Sequence, residues 1–175
     1  MSKEILRKKL ISLRKNNFSN QNISFIQLKK ILNILHIKNS QSIGGYYPIN
    51  SEIDTLKILK KLEKKKFKIS LPVIKKNNTM DFYEWSTKKP LRVSELGIPE
   101  PFTRKKIFPD VLIVPLVGFD KNKFRLGYGG GFYDRYISRV LKFKKILTLG
   151  FAFSFQELKK VPINKYDQKL DFVIT

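Results

Sequence analysis

Hydrophobic residues recur every three or four positions in three stretches of the N-terminal third, which is the spacing of one helix face. This pattern predicts helices over about 3–15, 20–36 and 51–65. The predicted core face of the first helix is Ile5, Leu6, Leu10 and Leu13, with Ser2 as its cap; that of the second is Phe25, Leu28, Ile31, Leu32 and Leu35. The third helix is predicted to open at Ser51, with Asp54 in its first turn, where a carboxylate suits the helix dipole.

Shorter apolar runs predict strands between and after these helices. They are Ile43–Tyr47, Phe67–Val73, Met80–Trp85, Val111–Val114, Ile146–Gly150 and Asp171–Thr175, with a further helix over Phe132–Leu141. The continuous run at Val111–Val114 is typical of a strand buried on both faces. Ser86–Pro109 is rich in Pro and Lys and predicts an ordered loop. The alternation predicts one domain over 1–175, a three-layer α/β/α fold with a mostly parallel, Rossmann-like sheet.

Composition narrows the class of protein. The 175 residues are 42% hydrophobic, enough to fill a core, and include no cysteine, which excludes disulfides, thiolate metal sites and a cysteine nucleophile. The longest apolar run, Val111–Phe119, is far shorter than the roughly 20 residues of a membrane span. The charged start of the chain lacks the apolar stretch of a signal peptide. A soluble cytoplasmic protein is expected.

The chain is strongly basic, with 36 Lys and Arg against 14 Asp and Glu and a net charge of +22. Such a balance suggests nucleic acid as a partner. The lysines, however, are scattered in short runs and accompany frequent Asn and Ile, which indicates general enrichment rather than a dedicated basic arm. Attraction of anionic ligands is expected in either case.

A glycine-rich loop carries the strongest chemical signal. Four glycines fall within five positions, Gly127–Gly131, between an apolar run and the last predicted helix. Free backbone N–H groups there suit phosphate. Arg125 and Arg135 add positive charge, Asp134 offers a carboxylate to a metal ion, and the two tyrosines at 128 and 133 suggest a ring-shaped ligand. The loop fits neither the Walker A nor the dinucleotide pattern, and a plain strand-to-helix turn is the alternative.

The segment Arg125 to Asp134 matches the motif Arg-Leu-Gly-x-Gly-x-Gly-aromatic-Tyr-Asp of the 5-formyltetrahydrofolate cyclo-ligase (methenyltetrahydrofolate synthetase) family, which the chain resembles over essentially its whole length. Other family landmarks occur in order: Lys3 and Arg7, Tyr47-Pro48, Glu52–Thr55, Leu71-Pro72, Met80, Phe82, Trp85, Gly97–Pro101, Pro115, Phe119-Asp120, Gly150–Phe153, Gln156, Asp167 and Asp171. One departure is Gly130, since some members carry a basic residue there. A phosphate contact is then missing or supplied by another residue.

The resemblance implies an enzyme that uses ATP and Mg²⁺ to convert 5-formyltetrahydrofolate to 5,10-methenyltetrahydrofolate, with release of ADP and phosphate. A monomer is expected, with no membrane partner and no functional nucleic-acid partner. Its folate substrate is expected to be mono- or polyglutamylated, and the lysine excess suggests a contact with the polyanionic polyglutamate tail. Two alternatives remain at this stage. One is a basic nucleic-acid-binding protein on the same scaffold, and the other is a different ATP-using enzyme.

The family also implies roles for individual residues. Arg125 and Asp134 are the expected catalytic residues, and Asp134 and Asp167 the expected metal ligands. The expected ATP-binding residues are Lys3, Arg7, Arg125, Leu126, Gly127, Tyr128, Gly129, Gly130, Gly131, Phe132, Tyr133 and Arg135. The expected folate-binding residues are Tyr47, Glu52, Trp85, Tyr128 and Tyr133. Trp85 has an alternative place in the core. Arg125→Ala is expected to reduce turnover more than stability, on the premise that the side chain faces a ligand.

Overall fold

A seven-stranded sheet forms the centre of the computed structural model, which describes residues 2–17, 25–38, 40–103 and 105–175. Its strand order is β12-β10-β7-β1-β2-β3-β6. These strands are β1 (Ser42–Gly44), β2 (Lys68–Ile74), β3 (Met80–Glu84), β6 (Lys106–Ile107), β7 (Val111–Val114), β10 (Leu147–Phe151) and β12 (Phe172–Ile174). Four of its six strand pairings are parallel and the two that involve β3 are antiparallel. The mostly parallel sheet predicted from the sequence is confirmed.

Helices cover both faces of this sheet. The helices are α1 (Lys3–Asn16), α2 (Phe25–Ile34), α3 (Thr55–Lys64) and α4 (Phe132–Val140). Residues of β7 alternate between the two cores: Val111 and Ile113 pack with α2 and α3, whereas Leu112 and Val114 pack with α4. A strand with both faces covered must be apolar throughout, which explains the unbroken run that predicted it.

Two smaller sheets complete the fold. The strands β8 (Gly118–Asp120), β9 (Arg125–Leu126) and β11 (Glu157–Leu158) form one, and β4 (Leu91–Val93) and β5 (Pro99–Pro101) form an antiparallel pair. Helix α1 packs on the first of these sheets through Leu10, which lies in a third apolar cluster with Val117, Leu126 and Val161. This contact brings the N-terminal helix beside the glycine loop that follows β9.

Several predicted boundaries were wrong. The third helix begins at Thr55 rather than Ser51, because the Asp54 carboxylate accepts from the N–H groups of Leu56 and Lys57 and so caps it. Ser51 lies outside the helix with a φ of 59°. The predicted loop over 86–109 contains β4, β5 and β6. Part of the predicted second helix, over 20–24, lies outside the described residues; its described part spans Phe25–Ile34.

Two predicted core positions of α1 were also wrong. Ile5 and Leu13 are 55% and 36% exposed, whereas Leu10 is buried and Leu6 partly buried. The predicted cap is confirmed, since Ser2 Oγ accepts from the N–H of Ile5 at 3.4 Å. The buried face of α1 is narrow, and it includes Arg14 as well as Leu10. In α2, Leu35 lies beyond the helix end and is 37% exposed.

The carboxyl ends of the central parallel strands place the functional residues. Strand β1 leads into Tyr46 and Tyr47, and its neighbour β7 leads into Pro115, all of which line one large cavity. Ligands of open α/β sheets characteristically bind beyond these ends. Among the described residues, no helix is long and apolar enough to span a membrane.

Candidate functional site

The large cavity has a volume of about 1010 Å³. This is at the upper end of the roughly 300–1,000 Å³ typical of ligand pockets, so it can hold two ligands of moderate size side by side. Its wall combines a cationic and glycine-rich part with an apolar and aromatic part. The first comprises Lys3, Arg7, Arg125, Leu126, Gly127–Gly131 and Arg135; the second comprises Tyr46, Tyr47, Ile49, Pro72, Ile74, Met80, Leu96, Ile98, Pro115, Phe132 and Tyr133.

The glycine loop is held against α1. Nε of Arg7 donates to the carbonyl oxygen of Gly127 at 2.7 Å. Gly129 has a φ of 107°, which side chains rarely adopt, and a Cβ there would lie 3.4 Å from Cζ of Arg7. Gly131 has a φ of 65° and begins α4 without a side-chain cap. The backbone of the loop therefore turns tightly under the Arg7 guanidinium, with the uncapped start of α4 at its end.

Lys3 is paired with one of the predicted metal carboxylates. Its Nζ lies 2.6 Å from Oδ2 of Asp167, and the same oxygen accepts from the N–H of Asn164 at 2.7 Å. The ion pair joins the first turn of α1 to the 164–168 segment on the rim of the cavity. Lys3, predicted to contact ATP, and Asp167, predicted to bind a metal ion, therefore lie side by side.

Arg125 differs from its prediction. Nη2 donates to Oδ1 of Asp134 at 2.7 Å, and Nη1 donates to the carbonyl oxygen of Gln168 at 2.8 Å. The Arg125 side chain is only 4% exposed. It borders the cavity but is committed to protein partners that tie β9 to α4 and to the 164–168 segment. Its role toward a ligand stays a prediction, but the side chain also has a structural role that the sequence analysis did not expect, because its donors satisfy the partly buried Asp134 carboxylate and the Gln168 carbonyl.

The two predicted metal ligands each retain an uncommitted oxygen. Oδ1 of Asp134 and Oδ2 of Asp167 are used in the contacts above, whereas the other oxygen of each carboxylate accepts no hydrogen bond from the described residues. The described part of the chain contains no group of three or more His, Asp or Glu side chains that could bind a metal ion by themselves. One or two carboxylates, completed by phosphate oxygens and water, form a common environment for Mg²⁺. The residues present fit an ion that is shared with a bound triphosphate.

Glu52 is a buried acid with an unsatisfied oxygen. It is 4% exposed, its Oε2 accepts from the N–H of Ile49 at 2.8 Å, and its Oε1 has no partner among the described residues. Burial raises the pKa of the Glu52 carboxyl, opposed by the Ile49 N–H, the Tyr128 hydroxyl and the charge of Arg14. A cavity-lining carboxylate in this state suits a ligand that presents N–H donors.

Tyrosines surround Glu52. Burial, and then the charge of Glu52, raise the pKa values of Tyr46, Tyr128 and Tyr133. All three phenols are therefore neutral at physiological pH and able to act as hydrogen-bond donors. The ring of Tyr133 packs edge-on against Phe82, with 6.4 Å between the centroids. The aromatic wall is anchored in the core on one side and open to a ligand on the other.

Trp85 lies outside the large cavity. It is 8% exposed in the core that includes α2 and α3, and its Nε1 donates to the carbonyl oxygen of Lys89 at 3.0 Å. It borders a second hollow of about 510 Å³, whose other lining residues include Lys57, Lys60 and Lys89. The predicted stacking on the folate rings is therefore not supported, and the core alternative is confirmed. Tyr47 lines both spaces.

Arg14 does not line the cavity, but it contacts Tyr128, which does, and the sequence analysis missed it. It is 1% exposed and its Nη2 donates to the hydroxyl of Tyr128. A signal existed, since Lys3, Arg7, Leu10 and Arg14 are spaced four, three and four residues apart and therefore share one helix face. Tyr46 was also missed, because an aromatic residue next to a strand is ordinarily assigned to the core.

Comparisons with known proteins identify the family of the chain. The model of the 5-formyltetrahydrofolate cyclo-ligase family matches residues 1–175. The chain is 30% identical over 146 residues to the 5-formyltetrahydrofolate cyclo-ligase of Haemophilus influenzae, covering 79% of this chain and 78% of the relative. It is also 30% identical over 143 residues to the enzyme of Escherichia coli K12, covering 78% of each.

Solved structures show the same fold. The 5,10-methenyltetrahydrofolate synthetase of Aquifex aeolicus superposes with a TM-score of 0.79 at 29% identity, covering 99% of this chain and 89% of that one. The synthetase of Mycoplasma pneumoniae superposes with a TM-score of 0.71 at 24% identity, covering 99% and 98%, and supports the fold. On the match over its full length, the chain belongs to the 5-formyltetrahydrofolate cyclo-ligase family.

Proposed function

We propose that this protein converts 5-formyltetrahydrofolate to 5,10-methenyltetrahydrofolate at the expense of ATP, which leaves as ADP and phosphate. One observation carries the proposal: a single cavity joins a phosphate-directed wall to a ring-directed wall that contains a buried, unsatisfied carboxylate. Two substrates that must react with each other need such an arrangement, since holding them in contact supplies much of the catalysis.

The folate lies against the aromatic wall. Glu52 accepts N–H donors from the edge of the pterin ring, which satisfies Oε1, and Tyr47 and Tyr133 flank the ring system. The triphosphate lies along the glycine loop, where backbone N–H groups and Arg7 neutralise its charge. Lys3 adds a second cation at the same end. This arrangement directs the formyl oxygen toward the γ-phosphorus.

The reaction then proceeds in two displacements. The formyl oxygen attacks the γ-phosphorus and the bond to ADP breaks. N10 of the folate attacks the activated formyl carbon, loses its proton and expels inorganic phosphate, which closes the ring. Asp134 and Asp167 would hold a Mg²⁺ ion, which neutralises the phosphate charge when bound. Arg125 keeps the Asp134 carboxylate in place, and catalysis is mainly positioning and charge stabilisation.

A direct assay tests this function. Purified protein, 5-formyltetrahydrofolate, ATP and Mg²⁺ should together produce the absorbance of the methenyl product, and omission of any component should prevent it. Asp134→Asn keeps an acceptor for Arg125 but removes the charge, so we expect about a hundredfold loss of turnover. Asp54→Asn is the matched control, because asparagine also caps a helix well. An inactive, folded wild-type protein would refute the function, and nucleic-acid binding would be tested next.

The basic hollow beside Tyr47 suits the anionic tail of a polyglutamylated folate. Lys60 and Lys89 border it and form no ion pair within the described ranges, whereas Lys57 lies 3.6 Å from Asp54. We expect Lys60→Gln with Lys89→Gln to weaken binding of the triglutamate about tenfold at low salt and to leave the monoglutamate unchanged. Lys145→Gln serves as a control. Equal wild-type affinities for the two substrates would contradict this assignment.

A further inference from the structure

Arg14 is a buried cation that forms no ion pair with the described residues. Its guanidinium is 1% exposed and lies within salt-bridge distance of no carboxylate in the described part of the chain. Burial of an unpaired charge is costly, so such a residue needs compensating contacts. An apolar residue at a core position ordinarily gives a more stable protein than a buried arginine. We therefore expect the buried charge of Arg14 to have a role in the neighbouring cavity.

The contacts of Arg14 join four segments that surround the cavity. From α1, its Nε donates to the carbonyl oxygen of Asn50 at 3.0 Å, and its Nη1 donates to that of Leu116 at 3.2 Å. Its Nη2 donates to the hydroxyl of Tyr128, over whose ring the guanidinium lies at 5.7 Å from the centroid. The segment before α3, the segment after β7 and the glycine loop are all held by this one side chain.

Glu52 is the acid that this charge acts on. The titratable groups that face it are Arg14 from α1, Tyr46 from the segment after β1, Tyr128 from the glycine loop and Tyr133 from α4. The tyrosines are neutral, so Arg14 is the cation of this set. Glu52 is two residues from Asn50, which accepts from Arg14, and Tyr128 interacts with both Arg14 and Glu52.

We propose that Arg14 is a positioning residue for the folate half of the site: its hydrogen bonds to the Asn50 carbonyl and the Tyr128 hydroxyl fix these groups around the Glu52 carboxylate, and its buried charge favours the anionic form of that carboxylate. An ionised Glu52 accepts two N–H bonds from a ligand, whereas a protonated one would present a competing donor. The role in folate binding rests on the proposed function; the effect on Glu52 does not.

The titration of Glu52 in the ligand-free protein tests the electrostatic part. Glutamate labelled with ¹³C at Cδ reports each carboxyl by NMR, and Glu52→Gln identifies the relevant signal. In Arg14→Met we expect the Glu52 midpoint to rise, because a nearby positive charge is lost. Lys8→Met is the matched control, because Lys8 lies on the exposed side of the same helix; it should leave the midpoint unchanged.

Two milder variants keep the inference testable if Arg14→Met does not fold. Arg14→Lys keeps the charge but loses the fork of donors, and Tyr128→Phe removes the hydroxyl between the two groups. Each should raise the Glu52 midpoint by a smaller amount. An unchanged midpoint in every folded variant would overturn the inference.

Kinetics test the consequence for folate. Arg14→Met should raise the KM for 5-formyltetrahydrofolate about tenfold or more while changing the KM for ATP little, and should move the acidic limb of kcat/KM to higher pH. In the Glu52→Gln background that shift of the limb should disappear. If the midpoint moves but the wild-type protein does not convert the folate, the electrostatic role stands and the proposed function falls. If the protein is active but the midpoint stays, only the role of Arg14 falls.

Discussion

Arg125→Ala should lower the free energy of unfolding by about 3 kcal/mol and also abolish turnover. The substitution leaves the Asp134 carboxylate and the Gln168 carbonyl without the guanidinium that bonds to them. Removing one partner of an ion pair that is largely buried typically costs a few kcal/mol. It also releases Asp134 from the position in which its second oxygen can serve a metal. Stability and activity are therefore lost together, in contrast to the expectation from the sequence.

Denaturant unfolding and turnover, measured on the same preparations, check this result. Arg135→Ala is the matched control, since Arg135 lines the same cavity but is exposed. Within the described residues its side chain makes a single hydrogen bond, to the carbonyl oxygen of Asn78. It should change the free energy of unfolding by less than about 1 kcal/mol. Arg125→Ala with wild-type stability would show that the observed ion pair contributes nothing to the fold.

Glu52→Gln should have opposite effects on stability and function. We expect kcat/KM for the folate to fall by two to three orders of magnitude, roughly the cost of a lost buried charge–donor contact. At neutral pH the free energy of unfolding should rise by about 1–2 kcal/mol, because an unsatisfied buried charge is removed. The same residue would then be required for binding and unfavourable for folding.

The sign of the pH dependence follows from the raised pKa of Glu52. The native state binds a proton more tightly than the unfolded chain, so the wild-type protein loses stability as the pH rises from the unfolded value, about 4.3, through the raised folded value. Glu52→Gln lacks this loss. The stability difference between the two proteins should therefore be small below pH 4 and grow toward neutral pH, as measured by denaturant unfolding across that range.

Glu63→Gln provides the contrasting control. Although burial raises the pKa of Glu63, hydrogen bonds from Thr87 and Ser86 lower it overall. Its stabilising contribution is present above the unfolded pKa and lost in acid, so this variant should be less stable than the wild-type protein at neutral pH. An identical response of the two glutamine variants would contradict the assigned environments.

Local chemistry made much of this protein predictable. The spacing of apolar residues predicted α1, and the unbroken run at Val111–Val114 predicted a strand buried on both faces. Four glycines followed by an amphipathic run predicted the loop before α4. These features depend on hydrogen bonds and side-chain periodicity within one element. Such contacts join residues that are close in the sequence, so they can be predicted from it.

The tertiary structure decided which of the predicted residues face the cavity and which are committed to one another. Trp85 belongs to the core, Arg125 is engaged by Asp134, and Arg14 meets Tyr128, which is 114 positions away in the chain. No local pattern distinguishes an exposed arginine from a buried one whose donors are satisfied by distant segments. What the sequence by itself determined is therefore the helices, most strands of the central sheet, the glycine loop and the family motif. The pKa of Glu52 and the hydrogen-bond partners of each arginine depend on the folded structure. Burial and contacts between distant segments determine the free energy of each charged group.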